Sequence, residues 1–238
     1  QSGLHIFGED GFKEGDVILA NEPYDTGTHA SDVALYVPIF FEEKLVGFTS
    51  VMAHWADIGG MAPGGWCPNS TDVHQEGLIF SHDKLYDGGK LNKVFHRFIL
   101  NNVREPRSVE GDLNAKIAAC HTGVRRYQEL CHRYGAECVE TSLTEVLNQS
   151  EKRMRDEISC FPNGIYRAEG FMDNDGIRTD QRLKISVTVT VKDDSLEINF
   201  DGSDPAAIGP VNHPLAGTVA MCGTIMKYLT MPFDATND

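Results

Sequence analysis

Apolar positions recur with two different periods along this chain, and the change of period divides it into regions. Residues 15–20 (Gly-Asp-Val-Ile-Leu-Ala) form a short apolar run after a polar turn, which predicts a buried strand. Residues 33–41 and 45–54 are rich in β-branched and aromatic side chains. Glu42-Glu43-Lys44 separates them, so an antiparallel hairpin is predicted. From Lys90 the period lengthens. Leu91, Val94, Phe95, Phe98 and Ile99 fall on one helical face. Val109, Leu113, Ile117, Cys120, Val124, Tyr127, Leu130 and Tyr134 recur at spacings of three and four, the stripe of a long amphipathic helix that Gly135 would close. A further helix is predicted over residues 142–159. Strand signals return at residues 164–171, 183–191 and 196–200, with Asp193-Asp194-Ser195 as a hairpin turn. Ile185, Val187, Val189 and Val191 alternate, which puts one face of that hairpin in a core. Residues 215–229 predict an apolar helix with small residues (Ala216, Gly217, Ala220, Gly223) suited to close packing. The fold class is therefore α+β: mixed or antiparallel sheets with hairpins, and a central block of long amphipathic helices. Three regions follow: a β-rich stretch over 1–89, a helical block over 90–160, and a hairpin-plus-helix region over 161–238. They are read as one continuous piece of a longer polypeptide.

Composition narrows the function. The 238 residues are 41% hydrophobic, enough for a real core. Aspartate and glutamate number 35 against 21 lysines and arginines, a formal charge of -14. That balance argues against binding nucleic acid, whose phosphates need clustered lysine and arginine. No apolar run is long enough to span a bilayer and no signal peptide opens the chain, so no membrane association is expected. The six cysteines form no CxxC pair, and several fall in apolar helical patterns. A reducing cytoplasm is the expected location.

The candidate chemistry lies in two His-x-x-Asp pairs, His29/Asp32 and His54/Asp57, with their histidines 25 residues apart. Two imidazoles and two carboxylates suit a divalent zinc, manganese or iron ion. The first pair stands at the start of the first hairpin strand and the second at the exit of the other. A hairpin brings those two ends together, so the pairs are expected to be neighbours. The competing reading is two ordinary turns with capping aspartates. Residues 59–69, with four glycines and two prolines, exclude a helix or central strand and suggest a binding loop. Glu76 is a candidate general base or additional ligand. His74 and His82 read as loop histidines. His121, Cys131, His132 and Cys138 fit no usual zinc spacing and read as packing. There is no GxGxxG, GxxxxGK[ST] or GxSxG motif, hence no phosphate loop or serine elbow within this chain.

GDVILANEPYDTGTHASD, AHWADIGGMAPGGW, STDVHQEGL, NVREPRSVEGDLNAKIAAC and GPVNHPLAGT occur in that order, from residue 15 to near the end. Together they resemble the hydantoinase B/oxoprolinase family, which includes N-methylhydantoinase B-type subunits, 5-oxoprolinase, ATP-dependent lactamases and subunits of acetone and acetophenone carboxylases. Asn21-Glu22-Pro23-Tyr24 replaces the family's usual Asn-Asp-Pro-Tyr, and His74 replaces a frequent aromatic residue. The resemblance implies a metal held by His29, Asp32 and His54, with Asp57 as fourth ligand or as a group bonded to one. It implies one further aspartate upstream of Gln1. It also implies a kinase-like, hydantoinase A-type partner of actin-like fold that binds ATP and phosphorylates the substrate's enolised or lactam oxygen. The activated small molecule would then be attacked at the metal, with Asp57 or Glu76 orienting or deprotonating a water. The expected function is the metal-dependent subunit of an ATP-coupled amidohydrolase opening a hydantoin, lactam or 5-oxoproline, within a hetero-oligomer. A ketone carboxylase subunit would use the same residues. A scaffold subunit with a structural metal is the non-catalytic alternative, distinguished by a closed coordination shell.

Overall fold

The computed structural model describes residues 2–25 and 29–233. Residues 26–28 of the first family motif, and both ends of the chain (Gln1 and residues 234–238), lie outside the described residues. The architecture is α+β, and the chain divides into two compact units, Gln1–Val139 and Glu140–Asp238.

The first unit is built on an antiparallel sheet of five strands: β1 (Val17–Ala20), β2 (Asp32–Phe41), β3 (Lys44–His54), β4 (Ser81–Asp87) and β5 (Lys90–Leu91), in the order β3-β2-β1-β4-β5. β1 is apolar throughout and fully buried, as expected of a central strand covered on both faces. β2 and β3 form the expected hairpin. Glu42 and Glu43 make its turn, both with positive φ (48° and 65°), the conformation that matches the twist of a two-residue hairpin. β4 was not legible in the sequence. Its Ser-His-Asp-Lys-Leu-Tyr-Asp run is mostly polar, yet His82 and Leu85 point inward, and Lys84 pairs with the buried Asp16 at 2.7 Å.

Helices α2 (Lys93–Asn101) and α3 (Pro106–Tyr134) follow a short terminal helix α1 (Ser2–Phe7) in number. Val109, Leu113 and Cys120 of α3 enter one core with Val33, Leu35, Val37, Trp55, Ile58, Phe80 and Ile99. Gly123 lets α3 approach β3 closely, since a Cβ there would come within 2.6 Å of Thr49. This packing joins the helical block to the β-rich stretch. The sequence marks three regions, whereas α3 and the five-stranded sheet share one compact unit. Two details of the expected stripes differ. Val94 and Phe98 of α2 are exposed while Phe95 and Ile99 face the core, and Leu130 and Tyr134 are exposed while Cys131 is buried.

α4 (Ala136–Ile158), whose first turn still belongs to the first unit, starts directly after Gly135, six residues earlier than the sequence suggests. A three-stranded antiparallel sheet follows: β6 (Gly164–Met172), β7 (Leu183–Lys192) and β8 (Ser195–Asn199), in that order. Asp193 turns the β7–β8 hairpin with φ 56°, and its backbone N–H donates to Asn163. α5 (Leu215–Thr230) is the apolar helix expected there. Among the described residues no helix is long and apolar enough to cross a membrane.

Candidate metal centre

The β2–β3 register places Asp32 directly opposite His54 at the open end of the hairpin. Asp32 extends one carboxylate oxygen to each of two imidazoles, Oδ1 to His54 Nδ1 at 2.9 Å and Oδ2 to His29 Nδ1 at 3.0 Å. His29 reaches this position because residues 29–32 turn back on themselves. The Asp32 N–H donates to the His29 carbonyl (3.0 Å) and the His29 N–H donates to Asp32 Oδ2 (3.1 Å). The two rings meet edge to face with centroids 5.8 Å apart. One ligand atom from each of the three residues lies within 4.8 Å of the others, the only such group of histidine, cysteine or acidic residues among the described residues.

These donors suit a divalent ion. Ligand atoms on a tetrahedron about 2.1 Å from an ion are about 3.4 Å apart. The three ligand atoms lie within 4.8 Å of one another, close enough for small side-chain rotations to bring them onto one ion. Two neutral imidazoles and one carboxylate are the donor set preferred by zinc, manganese and ferrous iron. Three protein donors also leave room for a water or substrate atom, as a catalytic site requires. Both imidazoles are more than half exposed, so the cluster faces solvent.

Two polar clamps, one of them buried, hold the chain on either side of residues 26–28. Asn21, fully buried, donates to the carbonyls of Ala30 and Leu78 and accepts from the Phe80 N–H. Asp25 is tied to β4 by a short chain: its Oδ2 lies 2.8 Å from His82 Nε2, and His82 Nδ1 lies 2.8 Å from the Tyr36 hydroxyl. Burial, with the nearby Asp25 charge, pushes the Tyr36 hydroxyl well above its ordinary range, so it stays protonated and donates to Nδ1. His82 then presents N–H to Asp25. The Ser2 hydroxyl, and after it His82, hold the Asp25 carboxyl below the usual range. His82, expected on a surface loop, is thus a buried strand residue with left-handed backbone (φ 66°).

Asp57 does not join the three. Burial alone would raise its carboxyl, but the backbone and guanidinium N–H groups of Arg104 and the Gly59 N–H together hold it below the usual range. Arg104 N and Nη1 donate at 2.7 and 2.8 Å, Gly59 N at 3.1 Å, and Arg104 Nη2 reaches the Gly60 carbonyl. Where Asp57 was expected as a fourth ligand or water base, both its oxygens are engaged in fastening the β3 exit to the segment between α2 and α3. Glu76 Oε1 accepts from Ser70 Oγ at 3.4 Å and is likewise outside the ligand group. His74 is an exposed turn residue, and His132 packs edge-on against Phe41. Sequence reasoning missed Asn21, Arg104 and Lys116, a buried lysine of α3 whose ammonium donates to Val33 and Ala53. Nothing in the sequence marks Asn21 and Lys116 as buried, or the exposed Arg104 as partner of a buried carboxylate.

The model of the hydantoinase B/oxoprolinase family matches residues 2–238. The chain is 39% identical over 229 residues to the B subunit of a putative D-/L-hydantoinase of Pseudomonas sp. (strain NS671), covering 93% of this chain and 38% of that protein. It is 28% identical to the acetophenone carboxylase delta subunit of Aromatoleum aromaticum, covering 95% of this chain and 33% of that one. Its fold matches the crystal structure of ATP-dependent caprolactamase from Pseudomonas jessenii with a TM-score of 0.89 at 30% identity, over 96% of this chain and 39% of the other. The chain therefore spans under two-fifths of the length of each of these relatives.

Proposed function

The chain belongs to the hydantoinase B/oxoprolinase family, and on that premise we propose that it carries the metal centre of an ATP-coupled hydrolase of cyclic amides. The observation that supports this most is the convergence of His29, Asp32 and His54 at the solvent-facing end of the β2–β3 hairpin. These three residues would hold a divalent zinc, manganese or iron ion, their ligand atoms exchanging the bonds they make to one another for bonds to the ion. A bound ion supplies Lewis acidity, which polarises a carbonyl and brings the ionisation of water toward neutral pH. Asp57 fixes the hairpin exit through Arg104; a carboxylate already accepting three N–H bonds is a poor proton acceptor. Glu76, half-buried and accepting one hydroxyl, is the remaining candidate for the water's proton.

Coupling to ATP belongs in this proposal to a kinase-like, hydantoinase A-type partner, because the chain has no phosphate-binding loop motif. Phosphorylation there would make the amide carbon electrophilic before attack here. The substrates named by the relatives are a hydantoin and caprolactam. Similarity to an acetophenone carboxylase subunit supports a second reading, in which the same cluster stabilises an enolate during carboxylation of a ketone. Assay of the complete protein with a kinase-like partner separates the two. Hydrolysis reads as ATP-dependent ring opening of hydantoin, caprolactam or 5-oxoproline, and carboxylation as ATP-dependent uptake of bicarbonate by a ketone. Loss of whichever activity is found in His54→Ala, with metal content lost in parallel, supports the assignment. Undiminished turnover in His54→Ala would overturn it.

A further inference from the structure

Lys116 is a charged residue in an apolar stripe. It lies on α3 between Leu113 and Cys120, both in the core, and only 3% of its surface is exposed. Its Nζ donates to the Val33 carbonyl at 2.7 Å and to the Ala53 carbonyl at 2.9 Å, and stands 5.3 Å from the centre of the Trp55 ring. Val33 follows Asp32, and Ala53 and Trp55 flank His54. One ammonium thus grips the chain next to one presumed ligand and on both sides of another. We infer that Lys116 is a positioning residue for the metal centre, clasping the open end of the β2–β3 hairpin so that Asp32 and His54 stay opposed in register. This inference rests on the metal reading of the cluster given above.

A buried lysine is costly, so its presence calls for a compensating role. An aliphatic residue would fill the same volume. It would leave the two carbonyls without these donors, and the hairpin end held beyond Asp32 and His54 by the Trp55 N–H to Ser31 carbonyl bond (2.9 Å). The open end of a hairpin frays most readily, because few pairs lie beyond it. The clasp does not depend on charge. Burial draws the Lys116 ammonium down to about 8 against the attraction of Asp112, Asp32 and Cys120, and the neutral amine still carries two N–H donors for the two carbonyls. Groups that orient metal ligands without touching the ion typically change affinity by about 10–100-fold when removed.

The test compares the whole chain with Lys116→Met, which keeps the stem and loses the donors, and with Leu113→Ala, a core variant on the same helix face. In the metal-free proteins, hydrogen exchange is read at the Val33 and Trp55 amides, with Ile18 and Leu19 of β1 as reference. Affinity is then measured with Zn²⁺ alone by competition against a chelator. Lys116→Met should exchange at least tenfold faster at the hairpin end relative to β1, and bind Zn²⁺ about 10–100-fold more weakly. Leu113→Ala should lower the melting temperature yet leave both readings within about twofold of wild type. Lys116→Arg, which keeps donors and charge, should recover part of both losses; Lys116→Gln, whose shorter side chain withdraws its amide from the two carbonyls, stands in for Lys116→Met with the same expectations if that variant does not fold. Wild-type exchange and affinity in Lys116→Met would overturn the inference. If the unaltered chain takes up no Zn²⁺ the metal reading fails, while exchange at the hairpin end still decides whether the clasp exists.

Discussion

At the scale of single residues, the site depends on polar groups whose burial is invisible in the sequence. Asp57 is 2% exposed and accepts from Arg104 and Gly59. Arg104→Ala should cost about 1–2 kcal/mol in urea unfolding, because the buried carboxylate loses its guanidinium and keeps only the backbone N–H groups of residues 59 and 104. It should change Zn²⁺ affinity far less than His54→Ala. A collapse of metal binding in Arg104→Ala with stability intact would return Asp57 to the ligand set. The Asp57 carboxyl is held below its ordinary value of 3.8. Its contribution to stability is therefore present above about pH 4 and is lost as pH falls through the lower folded value. Lys116 also makes stability rise with pH, but because burial penalises its charged form. Its folded value of about 8 lies below the ordinary 10.5, so the unfolded chain binds the extra proton between those limits. The stability of the protein relative to Lys116→Met should rise from pH 8 to pH 10.5, by on the order of 3 kcal/mol. Urea titrations of both proteins at pH 7.5 and pH 10 check this, and a difference independent of pH would contradict the buried, charged state.

At the scale of elements, the hairpin argument carried the site. Polar turn residues between two apolar strands were enough to set Asp32 against His54, because register in a hairpin follows from its turn. The long helix α3 was legible from its stripe, but Lys116 within that stripe was not, since a lysine reads as solvated until its acceptors are known. β4 escaped notice because its partners, and not its own apolarity, define it. The repeated His-x-x-Asp spacing suggests equal roles for Asp32 and Asp57, yet only Asp32 lies in the group with the two histidines. The turn after His54 instead swings Asp57 into the core. Gly59 and Gly60 after it, and Gly77, are tightly packed, while Gly64 has open space around it. A Cβ on Gly77 (φ 131°) would meet the Ile58 carbonyl at 2.4 Å, and one on Gly60 the Glu76 carbonyl at 2.4 Å. Gly77→Ala should therefore destabilise by about 2 kcal/mol or more. Gly111→Ala, in α3 with open space around it, should stabilise by about 0.5–1 kcal/mol. Thermal unfolding of the two variants gives opposite shifts if this packing is right.

For the whole molecule, charge and length limit what the chain does alone. The chain carries a formal charge of -14 and no phosphate-loop motif, and the proposal above gives ATP to a partner. The purified chain should hydrolyse no ATP, with or without added metal; robust ATPase activity without a partner would overturn the division of labour proposed here. The central claim is that His29, Asp32 and His54 hold one divalent ion. The most direct measurement is metal binding at stoichiometric resolution on the chain and on His54→Ala, with the ion located by anomalous scattering. The account predicts one ion per chain, bonded to His29, Asp32 and His54, and its loss in a folded His54→Ala. An ion bound elsewhere, or retained unchanged in His54→Ala, would contradict it.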